Sequence, residues 1–202
     1  MIGIVNYQAN NLRSVANAFR AIGAPIFIAD QPESLQQATA IVLPGVGAFS
    51  DSMHSLNRLG FIEPLQYAAQ EQKKPILGLC LGMQLLAEKS YEFGEHIGLG
   101  WLPGVVEKIE PASPAFRVPH MGWNNLEDIA PQSMLLKGIV QPAVVYFVHS
   151  YYVESGSETI ATTNYILPFS SALQKNNFYA VQFHPEKSAA AGQQILKNFL
   201  KL

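Results

Sequence analysis

The sequence is poor in several features that would place it in large classes of protein. It has one cysteine, which excludes an internal disulfide and a thiolate metal cluster. Charged residues make up 14% of the chain and the formal net charge is −2, so there is no electrostatic footprint for nucleic acid or an anionic membrane. No apolar run reaches the ~18 residues that a membrane span needs. The opening residues, Met1-Ile2-Gly3-Ile4-Val5, lack a basic stretch leading into a long apolar segment and read directly as a strand. His54, His96, His120, His149 and His184 show no zinc-site spacing. A cytoplasmic protein without metal or cofactor is expected, the unpaired cysteine fitting a reducing compartment.

What is there is apolar and evenly distributed. Of 202 residues, 49% are hydrophobic, enough for one sizeable core. No repeat, low-complexity segment or linker interrupts the chain, so residues 1–202 are expected to form a single domain. Strands are expected at Met1–Asn6, Pro25–Ala29 and Thr39–Leu43, with helices over Asn11–Ile22 and Phe61–Gln72. This alternation argues for an α/β fold: an open, mostly parallel sheet with helices on both faces. Later strands at Val105–Ile109, Val144–Val148, Thr159–Thr163, Ser171–Lys175 and Tyr179–Phe183 have few helices between them and read as antiparallel additions. Ala189–Leu202 closes the chain as a helix with Ile195, Phe199 and Leu200 inward.

The chemistry centres on Pro75-Ile76-Leu77-Gly78-Leu79-Cys80-Leu81-Gly82-Met83-Gln84. A buried strand gives way to helical spacing at Leu81, Leu85, Leu86 and Ala87, and Gly78-x-Cys80-x-Gly82 at the junction matches a nucleophile elbow with Cys in place of Ser. Small residues two positions either side relieve the crowding of a sharp turn. The Leu81 N–H is the natural first donor to an oxyanion. Pro44-Gly45-Val46-Gly47 offers a second donor from flexible backbone, although an ordinary tight turn has the same composition. Because Val46 is β-branched and resists positive φ, its peptide is expected to need a partner to reach the active orientation. His184 and Glu186 stand at i and i+2 of an expected strand, which puts base and orienter on one face. Tyr146–Tyr152 ends a strand in groups able to hold a polar substrate, or in an ordinary polar strand end. Trp123 falls in an expected loop; exposed it would mark an interface, buried it would be core, and core is the commoner case. Gly98-Leu99-Gly100-Trp101-Leu102-Pro103 lacks the last glycine and the strand–helix frame of a dinucleotide loop.

Gly78–Gln84 together with His184-Pro185-Glu186 resembles the class I (triad) glutamine amidotransferases. Within that class, Asn6-Tyr7, Asn11–Val15, Pro44–Phe49, His120–Asn124 and Phe147–Tyr151 resemble the glutaminase subunits of imidazole glycerol phosphate synthases. The resemblance implies hydrolysis of L-glutamine through a thioester on Cys80, with His184 shuttling protons and Glu186 orienting it. It implies an oxyanion hole from Val46, Gly47 and Leu81, and a pocket lined by Gln84, His149, Ser150 and Tyr151. It further implies a heterodimer with a (β/α)8-barrel cyclase subunit, which takes up the ammonia, across a face that includes Asn11, Trp123 and Lys187. The chain departs from the family at its first turn, where Gln8 and Asn10 occupy positions that relatives fill with glycine. A glutaminase serving another acceptor, or a non-catalytic module of the same fold, are the competing readings.

Overall fold

The computed structural model describes residues 1–111, 113 and 116–202. The first half contains β1 (Ile2–Val5), α1 (Leu12–Ala21), β2 (Ile26–Ala29), β3 (Ala40–Leu43), α2 (Phe49–Arg58), α3 (Ile62–Gln66), β4 (Ile76–Leu79) and α4 (Leu81–Leu85). The second contains β5 (Lys89–Ser90), β6 (His96–Ile97), β7 (Val105–Lys108), β8 (His120–Leu126), β9 (Ala143–His149), β10 (Tyr151–Val153), β11 (Thr159–Tyr165), β12 (Leu167–Lys175), β13 (Phe178–Val181) and α5 (Ala189–Phe199).

Among the described residues, a seven-stranded sheet runs in the order β11-β12-β13-β4-β3-β1-β2. The five strands from β13 to β2 are mutually parallel, and β12 and β11 add antiparallel at one edge. Alternation along each strand sends successive side chains to opposite faces. Ile4, Val42, Leu77 and Val181 pack on one face with Phe19 of α1 and Phe199 of α5. Val5, Leu43, Ile76 and Ala180 pack on the other with Phe49 and Leu56 of α2. Burial on both sides is why these strands read as continuous apolar runs. The carboxyl ends of β3, β4 and β13, three neighbours in the sheet, thereby bring the Pro44 turn, Cys80 and the approach to His184 to one edge, as expected of open α/β sheets.

The structure corrects several expectations. The single helix expected over Phe61–Gln72 begins as α3 and passes into a π-helical turn at Tyr67–Glu71. Helix α2 was not anticipated from its largely polar sequence. At the C-terminus the buried apolar side chains are Ile195, Leu196 and Phe199, whereas Leu200 is 38% exposed, because α5 ends at Phe199 and its stripe turns through Leu196. Strand β13 ends at Val181, not Phe183. The segment around Trp123 is no loop: β8 pairs antiparallel with β9 as a two-stranded ribbon, in a register that sets His120 opposite His149 and Trp123 opposite Tyr146. No helix among the described residues is long and apolar enough to cross a membrane.

Candidate active site

Cys80 sits between β4 and α4 with φ 52° and ψ −107°, a strained conformation that L-residues adopt where a site requires it. Its N–H donates to Val181 O of β13 at 2.8 Å, tying the turn into the sheet. The flanking glycines are needed for close approach. A Cβ on Gly78 would lie 2.7 Å from Gly82 O, and one on Gly82 would collide with Leu43 O of β3.

His184 and Glu186 meet as expected, with His184 Nδ1 2.8 Å from Glu186 Oε1 and both side chains buried. The means differ from expectation. His184 is extended at φ −98° and ψ 96°, and Pro185–Lys187 then forms a 3-10 turn. That turn, rather than strand alternation, swings the carboxylate back onto the imidazole. His184 is also stitched to β9: its N–H donates to Tyr146 O, and Ser188 Oγ donates to His184 O while accepting from Tyr146 N–H. Burial pulls the His184 pKa down, but interactions with Cys80 and Glu186 outweigh it and raise the value to about 10. Among the described residues His184 Nε2 has no conventional hydrogen bond, which leaves it free to exchange a proton on the side away from Glu186.

In front of the sulfur lies a cavity of about 480 Å³, lined by Val46, Gly47, Cys80, Leu81, Gln84, Glu92, Phe93, Pro119, Val148, His149, Ser150 and Tyr151. All three residues expected at an oxyanion hole and all four expected at a substrate pocket are therefore gathered on Cys80. The left-handed step of the Pro44 turn falls on Gly47 at φ 108°, and Val46 stays out of that region. Tyr7 Oη donates to Pro44 O at 2.6 Å and braces the turn from below.

The pocket wall has a fixed direction of hydrogen bonding. Tyr151 O is an acceptor only, so Gln84 must present Nε2 to it, and does so at 3.0 Å. His149 Nδ1 also faces Tyr151 O, at 2.8 Å, and so carries its proton there. His149 Nε2 must then accept from His120 Nδ1 at 2.9 Å, which leaves His120 Nε2 as acceptor for Asn124 Nδ2 at 3.3 Å. Both rings stay neutral: burial, with smaller contributions from its histidine neighbours, lowers His149 to about 3, and burial lowers His120 to about 4.

Two polar groups at the site escaped the sequence. Glu92 is buried and, among the described residues, is the one carboxylate lining the cavity, with Oε2 accepting from Phe49 N–H at 2.6 Å. Gln182 is fully buried and its Nε2 lies 3.6 Å from Cys80 Sγ. No local spacing marks Glu92, and Gln182 was hidden in what read as a plain apolar strand. The first turn survives its departure from glycine. Gln8 takes φ 75° and is held by Arg58 Nη2 at 2.8 Å, whereas Asn10 needs no left-handed backbone.

The residues expected at a partner face are grouped away from the cavity. Trp123 is 55% exposed, against the expectation of core, and stacks edge-on against Tyr146 at 5.8 Å. Lys187 Nζ lies 5.5 Å over the Tyr146 ring. Asn11 immediately precedes α1, which packs beside the Pro185–Lys187 turn, and neither polar atom of its buried side chain has a hydrogen-bond partner among the described residues.

The family model for class-I glutamine amidotransferases matches residues 4–202, and the chain belongs to that family. A solved structure described as a glutamine amidotransferase shares the fold, with a TM-score of 0.75, 19% identity and coverage of 99% of this chain and 97% of that one. More similar in sequence is imidazole glycerol phosphate synthase subunit HisH 1 of Campylobacter jejuni strain RM1221, 49% identical with 100% of both chains covered. Imidazole glycerol phosphate synthase subunit HisH of Desulfitobacterium hafniense strain DSM 10664 / DCB-2 is 47% identical, covering 100% of this chain and 94% of its own.

Proposed function

We propose that residues 1–202 form a single amidotransferase domain that acts as the glutaminase subunit of an imidazole glycerol phosphate synthase in the cytoplasm. It hydrolyses L-glutamine to L-glutamate and ammonia, which passes to a (β/α)8-barrel cyclase subunit in histidine biosynthesis. The observation that carries the reading is the gathering of Cys80, the Val46–Gly47 turn, Leu81 and Gln84 around one cavity, with the His184–Glu186 pair anchored beside it.

His184, its pKa raised well above neutrality, holds the Cys80 proton on Nε2 before attack, and the Cys80 thiolate then attacks the side-chain amide carbon. The oxyanion is held by the N–H groups of Leu81 and of the Val46–Gly47 turn. His184 returns the proton to the nitrogen, the C–N bond breaks and ammonia leaves a thioester. Water then loses a proton to His184 and attacks the same carbon, and the C–S bond breaks to release glutamate. Glu186 keeps the proton on Nδ1, so that Nε2 is the nitrogen that acts.

Substrate recognition follows from the wall. Both hydrogens of Gln84 Nε2 are used, on Tyr151 O and on Gln182 Oε1, each at 3.0 Å. Gln84 therefore offers the substrate its Oε1, an acceptor, and Glu92 offers a carboxylate; together they suit the α-ammonium of glutamine. The cyclase docks on the outer face of the β8–β9 ribbon, where Met121 and Trp123 stand exposed beside Lys187, and the unpaired amide of Asn11 awaits a partner. A chloroketone analogue of glutamine tests the nucleophile: the peptide bearing Cys80 gains its mass, and excess glutamine protects it. Modification elsewhere, or no protection, overturns the assignment.

A further inference from the structure

Gln182 stands between the nucleophile and the pocket wall, and its orientation is dictated from outside itself. Tyr151 O can only accept, so it fixes Gln84 Nε2; the second Gln84 hydrogen then requires an acceptor, and Gln182 Oε1 receives it at 3.0 Å. With its oxygen committed, Gln182 must turn Nε2 toward Cys80 Sγ, 3.6 Å away. A flipped amide would set nitrogen against nitrogen on one side and oxygen against sulfur on the other. Gln182 is 0% exposed, so no solvent competes for the donor and the dipole acts undiluted by water.

The sulfur has an opposing contact. Besides His184, the sulfur has Val148 O as a polar neighbour, at 3.8 Å, which accepts from a thiol and repels a negative sulfur. The buried Gln182 amide donor offsets that repulsion. We propose that Gln182 is a catalytic residue of this glutaminase, its side-chain N–H stabilising the negative sulfur of Cys80 at two points in the cycle. The first is after the thiol proton has moved to His184 and before the C–S bond forms. The second is when that bond breaks on attack by water and its electron pair returns to sulfur. The inference rests on the reading of Cys80 as nucleophile, and it gives Gln182 a second part, as the acceptor that holds Gln84 against Tyr151.

Two variants separate these parts. Gln182→Met fills the space but removes donor and acceptor. Gln182→Glu keeps an acceptor for Gln84 and turns an oxygen toward the sulfur. The rate of iodoacetamide alkylation of Cys80, followed from pH 6 to pH 9 (about the range over which thiols ionise), reports on the sulfur without needing turnover. Both folded variants should alkylate about tenfold more slowly at neutral pH, with the Met variant converging on wild type at high pH. With the cyclase subunit present, both should lose kcat, and only Gln182→Met should also raise KM. Should neither variant fold, as read by circular dichroism, the wild-type chain decides: the Gln182 side-chain NH₂ resonance must move when Cys80 is alkylated and the other glutamine amides distant from the site must not. Folded variants that alkylate like wild type while the wild-type complex releases ammonia from glutamine overturn the role of Gln182 alone, as does an unmoved resonance. Absence of ammonia release by the wild-type complex overturns the nucleophile reading and this inference with it.

Discussion

Val148 O lies 3.8 Å from Cys80 Sγ, and Val148 is the strand partner of Met121, whose side chain is 63% exposed on the outer face of the ribbon. The ribbon that touches Cys80 through β9 therefore carries the exposed Met121 and Trp123 on its paired strand β8. Trp123→Ala should weaken cyclase binding by about tenfold or more, as loss of an aromatic anchor does. Iodoacetamide alkylation of Cys80 in the isolated chain should be unchanged. Calorimetric titration with the cyclase subunit checks the first outcome; unaltered affinity would place the partner elsewhere.

The Pro44 turn makes a second prediction. Val46 does not take positive φ, and the left-handed step lies on Gly47. If partner docking is what brings the second oxyanion donor into place, Val46→Gly should raise glutamine hydrolysis by the isolated chain. One donor is worth about 10²–10³ in turnover, which bounds the gain. Ammonia release without partner is the measurement, and a rate no higher than wild type contradicts the gate.

Removing the orienter should separate turnover from binding. In Glu186→Gln the imidazole loses its buried carboxylate, and kcat should fall by about 10²-fold or more while KM for glutamine changes little. Glu92→Gln should do the reverse, raising KM with a smaller effect on kcat. Steady-state kinetics of the complex distinguish the two, and a kcat effect confined to Glu92→Gln would exchange their roles.

The histidines set opposing pH limits on stability. Burial lowers His149 to about 3 and His120 to about 4, below the ordinary 6.5 of the unfolded chain. Between those values the unfolded state takes up protons that the fold refuses, so their contribution is complete above 6.5 and is lost as pH falls toward 4. His184 acts in the other direction. Although burial lowers it, Cys80 and Glu186 raise it to about 10, so its contribution is complete below 6.5 and lost as pH rises toward 10. The urea midpoint should therefore peak near neutrality and fall on both sides. A midpoint that holds level from pH 7 to pH 4 contradicts the buried neutral pair.

The parallel sheet and the sharp turn at Cys80 were legible because local rules agree there: apolar runs bounded by glycine, and a steric need for small residues around Cys80. The His184–Glu186 contact was anticipated from the right residues by the wrong geometry, since Pro185 starts a 3-10 turn that sequence alternation does not register. Strand β8 reverses the usual pattern. Of its inner positions, His120, Gly122 and Asn124, the two polar ones form the hydrogen-bond chain behind the pocket-lining His149, and its outer positions include exposed Met121 and Trp123. A strand with its polar side inward cannot be told from a loop by periodicity. Glu92 and Gln182 join the site only through tertiary approach, twelve and one hundred and two positions from Cys80.

The most direct test of the whole account is ammonia release from L-glutamine by the purified chain, alone and with the cyclase subunit, beside Cys80→Ala. The account predicts slow release alone, strong stimulation by the cyclase, and loss of both in the variant. Hydrolysis that the cyclase leaves unchanged would keep the glutaminase and contradict its assignment to this synthase; release that survives Cys80→Ala would contradict the site itself.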